Sequence, residues 1–319
     1  MDGVLVIDKP QGLTSHDVVA VARRALRESR IGHTGTLDPL ATGVLPLAIG
    51  RATRLVRFLT ASDKDYIATI RFGATTDTYD VDGEPTGRTD RHPEAGELAT
   101  SVATLTGRYE QVPPAFSAKK VGGIRAYDLA RRKEEIQLTA VPVHVSRAAI
   151  EAFDGWSARI ALTVSAGFYV RSFAHTLGEI LGTGAYLEAL QRTRSGEFRL
   201  DESMTLDTLC GDPATPRARE GSHEQVLDWV IPMERLLRTF PSVTVTDEGR
   251  LWIGHGRELG PDQLDPGSRG FAGSTDAGAA VRQPPEWTRL LDPEGHLLAV
   301  ATPGSRPGSL HPSVVLTYN

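Results

Sequence analysis

Apolar positions recur along the chain with two periods, and the switches between them mark out the elements. Gly3 to Ile7 is a short apolar run stopped by Asp8-Lys9-Pro10, which predicts a strand running into a loop. Thr14 or Ser15 can cap the next segment, a helix with Val18, Val19, Ala22 and Leu26 on one face. Residues 32–50 are dense in glycine and proline and predict irregular backbone. A helical period returns over 51–59, with Leu55, Phe58 and Leu59 inward and Arg51, Arg54 and Arg57 outward. Residues 66–72 alternate as a strand, with Ile67, Thr69 and Arg71 on one face, and 94–105 reads as a helix.

Residues 113–140 open on Pro113-Pro114 and carry Lys119-Lys120, Gly122-Gly123 and Arg131-Arg132-Lys133. They predict an exposed basic insertion with a short helix at 127–133. Strands follow at 141–153 and 157–165, then a helix over 169–181 with Val170, Phe173, Leu177 and Leu181 in period. A strand at 184–190 and helices near 205–209 and 224–237 complete this part. Strands and helices mix without strict alternation, which predicts an α+β fold around a central mixed, largely antiparallel sheet. From Pro241 onward, short apolar runs alternate with Gly and Pro and predict a small β-rich domain. Its stretch 260–285 reads as a loop. The expected division is therefore 1–240 and 241–319.

The 319 residues, 40% hydrophobic and 24% charged, have ordinary globular composition. The net charge of −5 leans against a uniformly basic nucleic-acid coat. It is unevenly spread: residues 1–60 hold 8 bases against 5 acids and 113–150 hold 7 against 3, whereas 201–319 hold 10 against 17. Cys210 is the single cysteine, so an intrachain disulfide and a Cys-paired zinc site are excluded. The start lacks the basic and apolar regions of a secretory signal, and no apolar run reaches 18 residues. A cytoplasmic protein is expected. The sequence carries no phosphate loop and no complete dinucleotide loop. A calcium loop at Asp80-Val81-Asp82-Gly83 fails, because Thr78 and Thr89 would hold its first and twelfth ligand positions. That segment reads as a polar turn.

The chemistry concentrates at Asp38, inside Gly32-His33-Thr34-Gly35-Thr36-Leu37-Asp38-Pro39-Leu40-Ala41-Thr42-Gly43. Pro39 biases Asp38 to extended backbone, and the glycines permit tight turns and close approach of another molecule. Such a loop can present a carboxylate at a fixed angle. The same residues also read as ordinary turn chemistry. A metal pair of His33 and Asp38 lacks a third ligand nearby.

That string, preceded by Asp8-Lys9-Pro10-Gln11-Gly12, resembles the bacterial tRNA pseudouridine-55 synthases of the TruB family. Three further segments match in order: Lys64-Asp65-Tyr66, Gly167-Phe168-Tyr169-Val170-Arg171-Ser172, and Leu190-Gln191-Arg192-Thr193-Arg194-Ser195-Gly196. Together they span roughly residues 3–200. The resemblance implies a pseudouridine synthase fold with a PUA-like C-terminal domain. It implies an isomerisation at position 55 in the T-loop of tRNA, in which the C1′–N1 bond of uridine is cleaved and remade as C1′–C5. No cofactor or metal is implied. Asp38, Tyr66 and Arg171 are the implied catalytic residues. Asp38 would either attack C1′ or start glycal formation by removing a proton. Arg171 is the expected guanidinium partner, which offsets the cost of desolvating a carboxylate. His33, Tyr169, Leu190 and Lys9 are the implied substrate-binding set, with Lys9 either touching RNA or bracing the loop. The insertion at 113–140 corresponds to the family's thumb, pressed against the T-arm. The expected partner is tRNA alone, bound by a monomer. Three rivals are a non-catalytic tRNA-binding module, a synthase acting on ribosomal RNA and, weakest, a metal-dependent hydrolase.

Overall fold

The computed structural model describes residues 1–116, 120–121, 124–125, 138–211, 226–267 and 286–317. The strands of the N-terminal part are β1 (Gly3–Lys9), β2 (Ile31–His33), β3 (Thr42–Ile49), β4 (Lys64–Phe72), β5 (Ala74–Thr76), β6 (Pro85–Arg88) and β7 (Gly107–Gln111). They continue with β8 (Lys120–Val121), β9 (Ile124–Arg125), β10 (Val141–Phe153), β11 (Ser157–Val164), β12 (Ala185–Ser195), β13 (Phe198–Arg199), β14 (Met204–Thr205) and β15 (Ile231–Pro232). The main sheet runs in the order β14-β1-β3-β12-β4-β11-β10-β7. Along it only β14 with β1 and β12 with β3 pair in parallel. The expectation of a mixed, largely antiparallel sheet holds.

One face is covered by α1 (Ser15–Leu26), α3 (Ala95–Thr104) and α4 (Val170–Leu181), with the short helix Leu206–Cys210 packed into the same core and α2 (Val56–Thr60) elsewhere. Helix α1 starts where its chemistry dictates. The Thr14 hydroxyl accepts from the Asp17 amide and the Asp17 carboxylate accepts from the Thr14 amide. Its Val18, Val19, Ala22 and Leu26 join Leu5, Ile7, Leu45, Leu47 and Ile70 of the sheet and Phe173 and Leu177 of α4 in one core. The opposite face, through Val4, Val6, Val44, Leu55 and Phe58, packs on Leu297, Val300 and Leu316. Those belong to the C-terminal part, where Ser242–Thr244, Thr288–Leu291, Leu297–Pro303 and Leu310–Val315 form a separate four-stranded sheet.

Three expectations need correction. Residues 42–49 are a central strand, not irregular backbone. Pro46 is tolerated there because its carbonyl side faces the turn at Thr34, whose amide donates to it at 3.0 Å, and not a full neighbouring strand. The helix at 224–237 is absent over 228–237: Ile231–Pro232 pairs with Gly3 and Val4, and 233–235 is a single 3-10 turn. Pro232 lacks the amide a helix needs and disfavours helix at the residue before it. Arg51 is half-buried and does not point freely outward, whereas Arg54 is exposed as expected. Arg51 pairs with Asp2 at 2.8 Å and donates to the Leu316 carbonyl, while Arg54 donates to that of Val315. These cations dock the last strand. The short helix at 127–133, and the stretch from 268 to 285, lie outside the described residues.

Gly43 shows how tightly the centre is built. It sits at φ +97°, and a Cβ there would lie 2.2 Å from the Arg192 carbonyl oxygen. Gly43→Ala therefore meets both backbone strain and a backbone clash. We expect a loss of about 3 kcal/mol in unfolding free energy by urea titration, at the upper end of ordinary single substitutions.

Candidate active site

Register across the sheet gathers residues far apart in sequence. Lys9 of β1 lies opposite Gly43 of β3, Gly43 beside Arg192 of β12, and Arg192 opposite Tyr66 of β4. Paired residues point to the same face, so Lys9, Arg192 and Tyr66 emerge together on the helix-covered side. The loop 34–41 hangs over this row. Leu37 and Leu40 anchor it in the core. The Ser15 hydroxyl closes on Leu37, accepting from its amide at 2.9 Å.

Two buried cations hold the same loop by its carbonyls. Lys9, with no exposed surface, donates to Pro10, Leu13 and Pro39 at 2.9, 2.7 and 3.4 Å. Arg192, 1% exposed, donates to Val44 at 2.7 Å and to Gly35 at 3.1 Å. These bonds grip the loop on both sides of Asp38. Lys9 thus turns inward onto the loop in this structure.

Asp38 itself stays accessible, with 36% of its side chain exposed. Arg171, in the first turn of α4, is 7% exposed and places Nε 2.9 Å from the Asp38 carboxylate. The rest of its guanidinium is fixed from behind. Nη1 donates to the Thr78 carbonyl at 3.1 Å and stands 3.5 Å from the Asp80 carboxylate, and Nη2 donates to the Phe116 carbonyl at 2.9 Å. Asp80 is buried in the polar turn that joins β5 to β6. Burial pushes its pKa up, and this is opposed by a hydrogen bond from Thr78 and by the charge of Arg171. One guanidinium thus bridges an accessible carboxylate and a buried one.

The remaining candidates lie on different elements. Tyr66 is 8% exposed on β4, and Leu190, equally buried, lies opposite Ala68 on β12. Tyr169 caps α4, its amide and carbonyl both bonded to the Gln111 side chain at 2.9 and 3.0 Å. His33 packs edge-on to His16 at 5.3 Å, and burial holds its pKa below the usual histidine value. Among the described residues, the one group with ligand atoms close enough to share an ion is Asp292, Glu294 and His296, in a turn of the C-terminal sheet. It is not part of this constellation.

Comparison with known proteins settles the family. Residues 23–170 match the profile of the TruB family pseudouridylate synthase N-terminal domain, and 171–238 that of the tRNA pseudouridylate synthase B C-terminal domain. The chain is 43% identical over 284 residues to the tRNA pseudouridine synthase B of Solibacter usitatus, covering 88% of this chain and 94% of that one. The chain belongs to the TruB family. A second relative of the same name, from Nocardia farcinica, is 48% identical over 67% of this chain and 71% of its own. In fold, the chain superposes on the crystal structure of a Cbf5-Nop10-Gar1 complex with a TM-score of 0.73 at 24% identity, covering 99% of this chain and 85% of that one.

Within this TruB-family site, sequence reasoning missed Asp80 and Arg192. Asp80 lay in a segment legible only as a polar turn. Arg192 lay inside a matched motif, but an arginine in a half-polar strand carries no signal that its guanidinium turns inward.

The buried lysines predict a pH dependence of stability. Burial pushes Lys9 and Lys64 down to about 8. In the unfolded chain both titrate near 10.4. Between those values the unfolded state binds more protons, so stability rises with pH from about 8 upward as the cost of burying two charges is removed. Urea midpoints at increasing pH should show this rise, and Lys9→Met should reduce its slope.

Proposed function

We propose that this chain converts uridine to pseudouridine at position 55 in the T-loop of tRNA, with Asp38 as the catalytic carboxylate. The observation that carries the reading is the Arg171–Asp38 pair, 2.9 Å apart on an accessible loop, in a TruB-family chain. A carboxylate on an accessible loop can act on the ribose, by attack at C1′ or by removing a proton to begin glycal formation. Either course releases uracil, which turns and rejoins through C5. The reaction is an isomerisation and consumes nothing.

Arg171 holds Asp38 aimed through a charged hydrogen bond as the pocket closes over the base. Tyr66 offers a ring face to the uracil and a phenol for the C5 proton. His33, Tyr169 and Leu190 form the walls around the extruded nucleotide. Extruding a base costs a few kcal/mol, and least where the base is already unpaired, as in a loop. The basic insertion at 113–140 presses on the T-arm, and phosphate contacts set register there. Residues 1–240 form the catalytic unit and 241–319 a PUA-like domain. The protein acts as a monomer in the cytoplasm.

A mixture of unmodified tRNA and ribosomal RNA transcripts, incubated with the protein in chelator, tests this reading. Pseudouridine should form in tRNA only. Product confined to ribosomal RNA, or no product, would remove it.

A further inference from the structure

The Asp80 turn is held by a contact that the catalytic row does not explain. Tyr79 lies between two of the residues that fix Arg171 from behind, Thr78 through its carbonyl and Asp80 through its carboxylate, both on Nη1. Its backbone sits at φ +64°, in the left-handed region that a bulky side chain avoids. Backbone bonds hold the turn as well: the Tyr79 amide donates to Thr76, and the Tyr79 carbonyl and the Val81 amide are both bonded to Leu187 of β12. The Tyr79 ring lies flat on the His175 ring, with centroids 3.8 Å apart and planes 9° from parallel. His175 stands one turn after Arg171 on α4, so the stack ties the turn to the helix that carries the arginine.

We infer that the Tyr79–His175 stack is a positioning device for Arg171. It holds the strained turn so that the Thr78 carbonyl and the Asp80 carboxylate stay on Nη1, which leaves Nε directed at Asp38. Burial keeps the pKa of His175 below its usual value. A neutral ring stacks on Tyr79 without adding a second positive charge beside the guanidinium. Glu179, 3.5 Å from His175 Nε2, is the charged neighbour on the same helix. The inference rests on the reading of Asp38 and Arg171 given above.

The test uses the full chain on an unmodified tRNA transcript, with kcat and KM measured separately. Tyr79→Ala and His175→Ala should each lower kcat by about tenfold to a hundredfold, the scale of a misplaced catalytic group, with KM little changed. Tyr79→Phe keeps the ring and should restore the rate. Tyr79→Gly relieves the backbone strain without restoring the stack and should stay as slow as Tyr79→Ala. In an Arg171→Lys background the Tyr79→Ala effect should vanish. The stack has no positioning role if Tyr79→Ala keeps its kcat, if Tyr79→Gly recovers it, or if the loss is undiminished in the Arg171→Lys background. An Asp38→Asn control separates the two claims, since full activity there would sink the catalytic reading itself. The Arg171 Nε–H resonance gives a readout without turnover: it should shift in Tyr79→Ala and not in Tyr79→Phe, and an unmoved resonance in Tyr79→Ala would also overturn the inference.

Discussion

Asp38→Asn should abolish pseudouridine formation, with a loss on the order of 10⁴-fold, the scale seen when a group acting at the reacting atoms is removed. The fold should survive. Asparagine matches aspartate in size, and the backbone turn in which the Asp38 carbonyl accepts from Ala41 is untouched. Nor does the change leave Arg171 as a bare buried charge, because Asp80 and the carbonyls of Thr78 and Phe116 still hold it. A thermal midpoint close to that of the unaltered chain, beside a rate at background, is the expected pair of results. Rapid turnover by this variant would mean that the accessible carboxylate is not the reacting group.

Arg171→Lys should cost on the order of 10²–10³ in kcat, the scale of losing one preorganised electrostatic contact. The reason is geometric. Three nitrogens of the guanidinium serve four acceptors in different directions: Asp38, Asp80, Thr78 and Phe116. A single ammonium on a flexible stem keeps the charge but cannot span that set. Because the guanidinium is 7% exposed and faces protein, tRNA affinity should change little. A variant with normal kcat and weakened binding would make Arg171 a substrate contact instead.

The sequence disclosed most where periodicity was local. The helix carrying Arg171 was legible from Val170, Phe173, Leu177 and Leu181, all buried in the structure. The strand with Tyr66 was legible from its alternation. The loop carrying Asp38 was legible as a constrained segment, and its role came from resemblance and not from spacing. What stayed hidden depends on contacts distant in sequence. The strand 42–49 was masked by Pro46, whose missing amide matters only if a neighbour needs it. The row of Lys9, Gly43, Arg192 and Tyr66 exists only once β1, β3, β12 and β4 have paired. Asp80 looked like turn chemistry and is turn chemistry, but the turn lies beneath α4.

The charge pattern also reads differently with the fold in view. Lys9, Arg51 and Arg54 all fall in the basic segment 1–60, yet they hold the loop carrying Asp38 and the last strand. If the insertion at 113–140 meets the tRNA as proposed, salt dependence of binding should follow the number of phosphates it meets.

The central claim is that Asp38 and Arg171 isomerise one uridine in the T-loop. A position-resolved map of pseudouridine in an unmodified tRNA transcript after incubation with the protein tests it most directly. The account predicts pseudouridine at position 55 and unmodified uridine elsewhere, whereas a transcript left unmodified at 55, or modified only at other positions, would contradict it.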